Sequence, residues 1–103
     1  MLIQIILPSI FILIIIYFFF NKSSLLFFYS NKCSHCLNFK PQWEDIKREI
    51  NLTEDINCDI NPEICNNYNI SAYPSIIKVN FFGIPTEYLG KRIPEDIINF
   101  YNE

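Results

Sequence analysis

The sequence has 103 residues, half of which are hydrophobic, and its formal net charge is −3. This length allows one small folded domain together with one additional segment. The eight lysine and arginine residues form no basic cluster. Because phosphate binding needs concentrated positive charge, this distribution excludes nucleic acid as a partner.

The first 20 residues differ in composition from the rest of the chain. No charged residue occurs from Leu2 to Phe20, where Ile, Leu and Phe dominate. A run of about 19 residues, at about 1.5 Å per residue, approaches the thickness of the hydrocarbon core of a bilayer. A cleaved signal peptide is the alternative, but no basic region precedes the run and no small-residue cleavage site follows it. We therefore predict a transmembrane anchor at residues 1–20, a polar spacer at 21–24 and a folded domain at 25–103.

Two features of the sequence point to opposite sides of that membrane. Lys22 and Lys32 follow the anchor and no Lys or Arg precedes it, which by the positive-inside rule favours the cytosol. Four cysteines in a small domain, and glycosylation sequons at Asn21, Asn51 and Asn69, favour an oxidising compartment. We predict a single-pass protein with its domain on the lumenal or exterior side, in a viral or endoplasmic reticulum membrane.

The folded region alternates strand and helix patterns. Continuous apolar runs are typical of strands buried on both faces, apolar residues at intervals of three and four are typical of helices, and proline opens a helix well. These patterns predict strands at 25–29 and 56–60, helices at 37–50 and from Pro62 to about Tyr68, strands at 75–81 and 86–89, and a last helix from Pro94 through Tyr101. The order βαβα followed by ββα predicts a small α/β sandwich with helices on both faces of the sheet.

A pair of cysteines, Cys33 and Cys36, lies at the junction between the first predicted strand and the helix that follows it. At a helix N-terminus, the helix dipole and the unpaired backbone N–H groups stabilise a thiolate over a thiol. The spacing of the pair lets Cys36 attack a mixed disulfide on Cys33 and release the reduced substrate. The pair therefore predicts reversible disulfide exchange, for which no bound cofactor is needed.

Two separate motifs resemble thioredoxin-fold domains, and especially those of the protein disulfide isomerase family. The segments FYSNKCSHC at 28–36 and KPQWE at 40–44 are similar to the active-site strand, the Cys-Gly-His-Cys sequence and the proline-containing helix of that family. The segment ISAYPSI at 70–76 is similar to its loop ending in a cis-proline opposite the active site. The resemblance covers 25–103 and implies a thioredoxin-like three-layer sandwich, shortened because the usual first strand and helix are missing.

The resemblance also implies roles for individual residues. Cys33 is the implied nucleophile, Cys36 the resolving thiol, and His35 a group that stabilises the Cys33 thiolate. Pro74, in cis, is implied to lie beside Cys33 and to form with Tyr73 a groove for a substrate strand. The function that follows is that of a membrane-anchored thiol–disulfide oxidoreductase, similar to protein disulfide isomerase, with protein thiol or disulfide substrates and a redox partner.

The second cysteine pair and two departures from the family pattern complete this interpretation. Cys58 and Cys65 resemble a pair that forms a structural bridge in some disulfide isomerases, and two buried free thiols are the alternative. Phe27 stands where the family usually carries a buried acid that helps to deprotonate the resolving thiol. Lys32 replaces the usual tryptophan, and its positive charge favours the Cys33 thiolate.

Two functions of other classes are consistent with the sequence. A zinc module would combine Cys33 and Cys36 with two further ligands among His35 and the remaining cysteines. Zinc sites usually present paired short spacings, which the second cysteine pair lacks, so we predict no metal site. A tethered, non-catalytic binding module would keep the fold and hold partners around Pro74, and Phe27 gives this alternative some support.

Overall fold

The computed structural model describes residues 2–20 and 22–103, except for the side chains of residues 18–20. The predicted succession of helices and strands after residue 24 is confirmed. The elements are α1 (Leu2–Phe20), β1 (Ser24–Tyr29), α2 (Ser34–Glu49), β2 (Thr53–Asn57), α3 (Pro62–Asn67), β3 (Ser75–Val79), β4 (Pro85–Glu87) and α4 (Pro94–Asn102).

The N-terminal helix α1 does not bear out the predicted anchor. Its side chains from Leu2 to Tyr17 are exposed. Among the described residues, none of the helices is long and apolar enough to cross a membrane. The transmembrane prediction for residues 1–20 is therefore not supported by the structure. The sequon residue Asn21, in the predicted spacer, lies outside the described residues.

The sheet of the described chain contains four strands in the order β2-β1-β3-β4. The central strand β1 pairs in parallel with β2, with Phe27 opposite Asp55. It pairs in the antiparallel sense with β3, with Ser24 opposite Val79, and β4 completes a hairpin at the other edge. The predicted parallel pair joined through a helix and the predicted edge hairpin are both confirmed.

The position predicted for the second strand was wrong by three residues. Strand β2 occupies Thr53–Asn57, and residues 58–60 form a turn. Thr53, Glu54 and Asp55 are polar and mostly exposed, so hydrophobic patterning does not mark them as a strand. Backbone pairing with β1 determines where this edge strand begins.

One face of β1 packs against helices α2 and α4. Leu25 and Phe27 belong to a buried cluster with Trp43 and Ile46 of α2 and Ile97 of α4. Trp43, Ile46 and Ile97 have no exposed surface. Apolar residues at intervals of three and four along α2 therefore form one continuous face toward the sheet, as predicted.

The other face of β1 packs against α3. Leu26 and Phe28 join Ile77 of β3 and the two cysteines Cys58 and Cys65 in a second buried cluster. Successive residues of a strand point to opposite faces, so the apolar run in β1 supplies both clusters. The result is three layers, with α2 and α4 on one side of the sheet and α3 on the other.

Candidate active site

Cys33 occupies the N-cap position of α2, which begins at Ser34, three residues earlier than predicted. Its Sγ accepts a hydrogen bond from the backbone N–H of Cys36 at 3.0 Å. The first turn of the helix contains no acidic side chain. A sulfur at this position interacts with the positive end of the helix dipole and with an unpaired N–H group, and both interactions favour the thiolate.

The structure joins Cys33 and Cys36 by a disulfide, with a Cα–Cα distance of 5.3 Å. Cys33 is half-buried, whereas only 4% of Cys36 is exposed. An external thiolate therefore reaches the sulfur of Cys33 more readily than that of Cys36. This asymmetry is what a nucleophile and a resolving thiol require.

An open depression of about 430 Å³ surrounds the exposed edge of the disulfide. Tyr73, 37% exposed, lines it from the opposite loop, and the exposed His35 and Lys32 line it beside Cys33. The peptide bond between Tyr73 and Pro74 is cis. The structure thus brings together Cys33, His35 and Tyr73, which two separate sequence motifs identified as candidate site residues.

A second depression of about 510 Å³ lies next to Pro74. Its lining includes the exposed side chains of Leu89, Lys91 and Arg92, from the segment between β4 and α4. The buried Pro74 borders this depression from the sheet side. Pro74 therefore lines a different depression from the one that Cys33 and Tyr73 line.

Cys36 lines a small cavity of about 200 Å³. Phe27, 3% exposed, lines it together with Lys40 and Asp55. Asp55 is the partner of Phe27 in the parallel pairing of β1 with β2. A carboxylate therefore lines this cavity from the neighbouring strand, although position 27 itself carries an aromatic ring.

Asp55 also connects the edge strand to helix α2. Its Oδ1 accepts a hydrogen bond from Nε1 of the buried Trp43 at 2.6 Å, and its Oδ2 accepts one from Nζ of Lys47 at 3.2 Å. The ring of Trp43 packs against that of Phe27, with 5.1 Å between centroids. Asp55, to which the sequence analysis gave no role, thus joins strand β2 to helix α2 beside this cavity.

A polar network next to Cys33 was also missed from the sequence. It joins the loop before Cys33, through Ser30 and Asn31, to Asn57 and Asp59 at the end of β2. Both segments follow the carboxyl ends of parallel strands, and such ends meet at one edge of a sheet. That placement is the sequence signal that could have identified the network.

The second cysteine pair, Cys58 and Cys65, forms a disulfide with a Cα–Cα distance of 5.7 Å. Over residues 2–20 and 22–103, no group of three or more His, Cys, Asp or Glu side chains could hold a metal ion. Each of the four cysteines is paired with another cysteine. The zinc alternative therefore receives no support from the structure.

A disulfide at the start of a helix, next to a loop with a cis-proline, in a domain with a mixed four-stranded sheet, defines the class of thioredoxin-fold domains with a Cys-x-x-Cys site. The family model for Thioredoxin matches residues 18–103, which is most of the chain. The chain belongs to the thioredoxin family.

Curated relatives include proteins with disulfide-isomerase names. The chain is 32% identical over 75 residues to DnaJ homolog subfamily C member 10 of Xenopus laevis, covering 70% of this chain and 9% of that protein. It is 30% identical over 81 residues to a putative protein disulfide-isomerase of Dictyostelium discoideum, covering 70% of this chain and 20% of that one. The chain thus spans a fifth or less of the length of these relatives.

Solved structures show the same fold. The J-Trx1 fragment of ERdj5 matches with a TM-score of 0.72 and 25% identity, over 78% of this chain and 41% of that one. The first thioredoxin domain of mouse protein disulfide-isomerase A4 matches with a TM-score of 0.71 and 26% identity, over 79% of this chain and 61% of that one. The family, these relatives and the Cys33–Cys36 pair support thiol–disulfide oxidoreductase activity.

Proposed function

We propose that this protein exchanges disulfides with protein substrates through the Cys33–Cys36 couple. The observation that carries the proposal is the half-buried sulfur of Cys33 at the start of α2, bonded to the buried sulfur of Cys36. The open depression around Cys33 gives a substrate thiolate access to this bond.

The exchange conserves atoms and electrons. In the oxidising direction, a substrate thiolate attacks the sulfur of Cys33, the bond to Cys36 breaks, and Cys36 leaves as a thiolate. A second substrate thiolate then attacks the substrate sulfur of the mixed disulfide and expels the Cys33 thiolate. The substrate loses two electrons and two thiol protons, and the cysteine pair gains the electrons. A separate thiol or disulfide partner must return the pair to its starting state.

The surrounding residues have supporting roles in this proposal. Lys32 favours the Cys33 thiolate by its positive charge, and His35, which lines the same depression, stabilises it by charge or hydrogen bonding. Tyr73 and Pro74 form the wall against which an extended substrate segment lies, with its backbone paired to the loop. The Cys58–Cys65 bridge is structural, because it joins the turn after β2 to α3 inside the second buried cluster.

Trapping the mixed disulfide tests the proposal. Cys36→Ser removes the resolving thiol, so we expect it to accumulate covalent adducts with a disulfide-containing substrate such as insulin. Cys33→Ser, the matched control, removes the attacked sulfur and should form none and lose insulin reduction. Equal adduct formation by both variants, or its absence from Cys36→Ser, would contradict the proposed exchange. Dithiothreitol-sensitive bands on non-reducing gels are the measurement.

The second candidate is a non-catalytic binding module, which the aromatic ring at Phe27 favours because no acid occupies that position. Such a module would bind extended peptides around Pro74 equally well in the native chain and in Cys33→Ser. It would reduce no insulin. Peptide binding measured alongside insulin reduction therefore separates the two functions.

Membrane attachment through residues 2–20 and the division into anchor, spacer and domain at 1–20, 21–24 and 25–103 are part of this proposal. They rest on the uncharged sequence of that region. Strand β1 begins at Ser24 and ends beside the active site, so its six residues place the disulfide about 20 Å from the point where the tether joins the domain. A tether there leaves the active site open to substrates.

Alkaline carbonate extraction of the full chain tests the attachment, and recovery in the soluble fraction would contradict it. Asn51 and Asn69 are both exposed and can test the lumenal or exterior side. We expect a glycosidase-sensitive increase in mass in eukaryotic cells, which Asn51→Gln and Asn69→Gln combined with Asn21→Gln, at the third sequon, should remove. Protease digestion of the domain in intact, sealed vesicles would instead place it on the cytosolic side.

A further inference from the structure

The loop that leads into Cys33 is held by the carboxylate of Asp59. Both carboxylate oxygens accept hydrogen bonds from Oγ of Ser30 at 3.1 Å, and Oδ2 also accepts one from the backbone N–H of Asn31 at 2.8 Å. Oγ of Ser30 accepts the N–H of Lys32 at 3.4 Å, and its carbonyl accepts the N–H of Cys33 at 3.2 Å. Asp59 therefore fixes each residue of this loop directly or through Ser30.

A second set of contacts ties the same loop to the end of β2. Nδ2 of the buried Asn57 donates to Oδ1 of Asn31 at 3.0 Å, and Oδ1 of Asn57 accepts the N–H of Asp59 at 2.9 Å. The N–H of Cys58 donates to the carbonyl of Tyr29 at 2.8 Å. Asn57 thus orients Asp59 and the loop together.

The Cys58–Cys65 disulfide is attached to this network through the backbone of Cys58. Cys58 is the residue between Asn57 and Asp59, and its bond to Cys65 attaches their backbone to helix α3. Both cysteines are buried, with 6% and 4% of their surface exposed. Asp59 itself is exposed, so its position depends on the backbone that the bridge holds.

We propose that Asp59 is a positioning residue for the Cys33–Cys36 site and that the Cys58–Cys65 bridge holds the backbone of Asp59 in place. This proposal rests on the proposed disulfide exchange, because it assigns a support to that same site. A fixed loop keeps Cys33 at the N-cap, where its sulfur accepts the N–H of Cys36. That contact stabilises the thiolate, so Asp59 increases the fraction of Cys33 present as thiolate.

The negative charge of Asp59 has the opposite effect, since a nearby anion disfavours a thiolate. Removing the side chain therefore distinguishes the two effects by the direction in which the thiolate fraction of Cys33 changes. If positioning dominates, the thiolate fraction of Cys33 falls in Asp59→Ala. If the charge dominates, the thiolate fraction rises.

The test measures the alkylation rate of Cys33 by iodoacetamide in the full chain with Cys33 and Cys36 reduced, with mass spectrometry to assign the site. Below neutral pH, we expect Asp59→Ala to slow alkylation about threefold, the effect of losing one modest hydrogen bond. Asp59→Asn, which keeps an oxygen acceptor for Asn31, should lie between Asp59→Ala and the native chain. Asp45→Asn is the matched control, because Asp45 is an exposed carboxylate that pairs with Arg48 on α2, and it should leave the rate unchanged.

An unchanged or faster alkylation rate in Asp59→Ala would overturn the positioning role.

Amide hydrogen exchange provides a second measurement, in which the N–H groups of Asn31 and Cys33 should exchange faster in Asp59→Ala than in Asp45→Asn. The variant Cys58→Ala with Cys65→Ala should show the same faster exchange at Asn31, and native exchange there would overturn the role of the bridge.

These measurements distinguish a failure of the positioning role from a failure of the proposed function. If the native chain reduces no insulin while Asp59→Ala still slows alkylation, disulfide exchange with proteins is wrong and the positioning role stands. If the native chain reduces insulin and Asp59→Ala alkylates at the native rate, the exchange stands and the positioning role is wrong.

Discussion

Replacing Asp55 with alanine tests how edge strand β2 holds helix α2. Trp43 has no exposed surface, and its Nε1–H donates to Asp55 at 2.6 Å. A buried donor left without its acceptor destabilises a protein by about 1–3 kcal/mol. The ion pair between Asp55 and Lys47 is partly exposed, with side-chain exposures of 34% and 29%, and adds less than about 1 kcal/mol. We expect Asp55→Ala to lower the free energy of unfolding by about 2 kcal/mol.

A double-mutant cycle isolates the contribution of the hydrogen bond. Trp43→Phe removes the donor and keeps an aromatic ring against Phe27, so a further Asp55→Ala change should cost less than about 1 kcal/mol. Asp55→Asn keeps an acceptor and should cost less than Asp55→Ala in the native background. Guanidinium unfolding should be followed by circular dichroism in both backgrounds. Trp43 is the single tryptophan of the chain, so Trp43→Phe leaves no tryptophan fluorescence to follow. Equal losses from Asp55→Ala in the two backgrounds would refute the assigned role of this bond.

Three further changes probe other contacts. Burial raises the pKa of Tyr101, whose hydroxyl donates to the carbonyl of Ser23 at 2.6 Å. The tyrosine therefore ionises first in the unfolded chain, and the free energy of unfolding falls as the pH rises above about 10. Tyr101→Phe should reduce this fall in urea titrations at alkaline pH, and an unchanged dependence on pH would contradict the assignment. Ile97→Ala should lower the unfolding free energy by about 2–5 kcal/mol at a fully buried position, and a loss below about 1 kcal/mol would contradict the packing of α4. Replacing Cys58 and Cys65 together by alanine should lower the unfolding free energy by about 2.5 kcal/mol, because the bridge closes a loop with a sequence separation of 7 and reduces the entropy of the unfolded chain. An unchanged denaturation midpoint would argue against a stabilising bridge.

The central strand and the helix after it could be predicted because their side chains face the core. The apolar run in β1 supplies both buried clusters, and the spacing of Phe39, Trp43 and Ile46 forms the buried face of α2. The disulfide pair was predictable for a similar reason, since Cys33 lies at the junction of those two elements. Local patterning identifies residues whose environment is set by a single element.

Residues whose partners come from a different element could not be predicted in the same way. Asp55 looks like one more charged residue in a polar stretch, and its contacts with Trp43 and Lys47 depend on the parallel register of β2. Asp59 lies 28 residues from Asn31 in sequence, and only the pairing of the strands brings them within 2.8 Å. Short-range periodicity contains no information about such a register.

The shortened sheet explains why these polar residues occur on β2. Without the family's usual first strand, β2 is an edge strand of the described sheet, and an exposed edge can pair with another chain. Charged side chains discourage such pairing, and Glu54 and Asp55 are both exposed there. Asp55 also accepts a hydrogen bond from Trp43, and Asp59, just after β2, accepts one from Ser30 in the loop before Cys33. The polar sequence at the start of β2, which displaced the predicted bounds of this strand, therefore discourages pairing at the sheet edge and supplies contacts to the residues around the redox site.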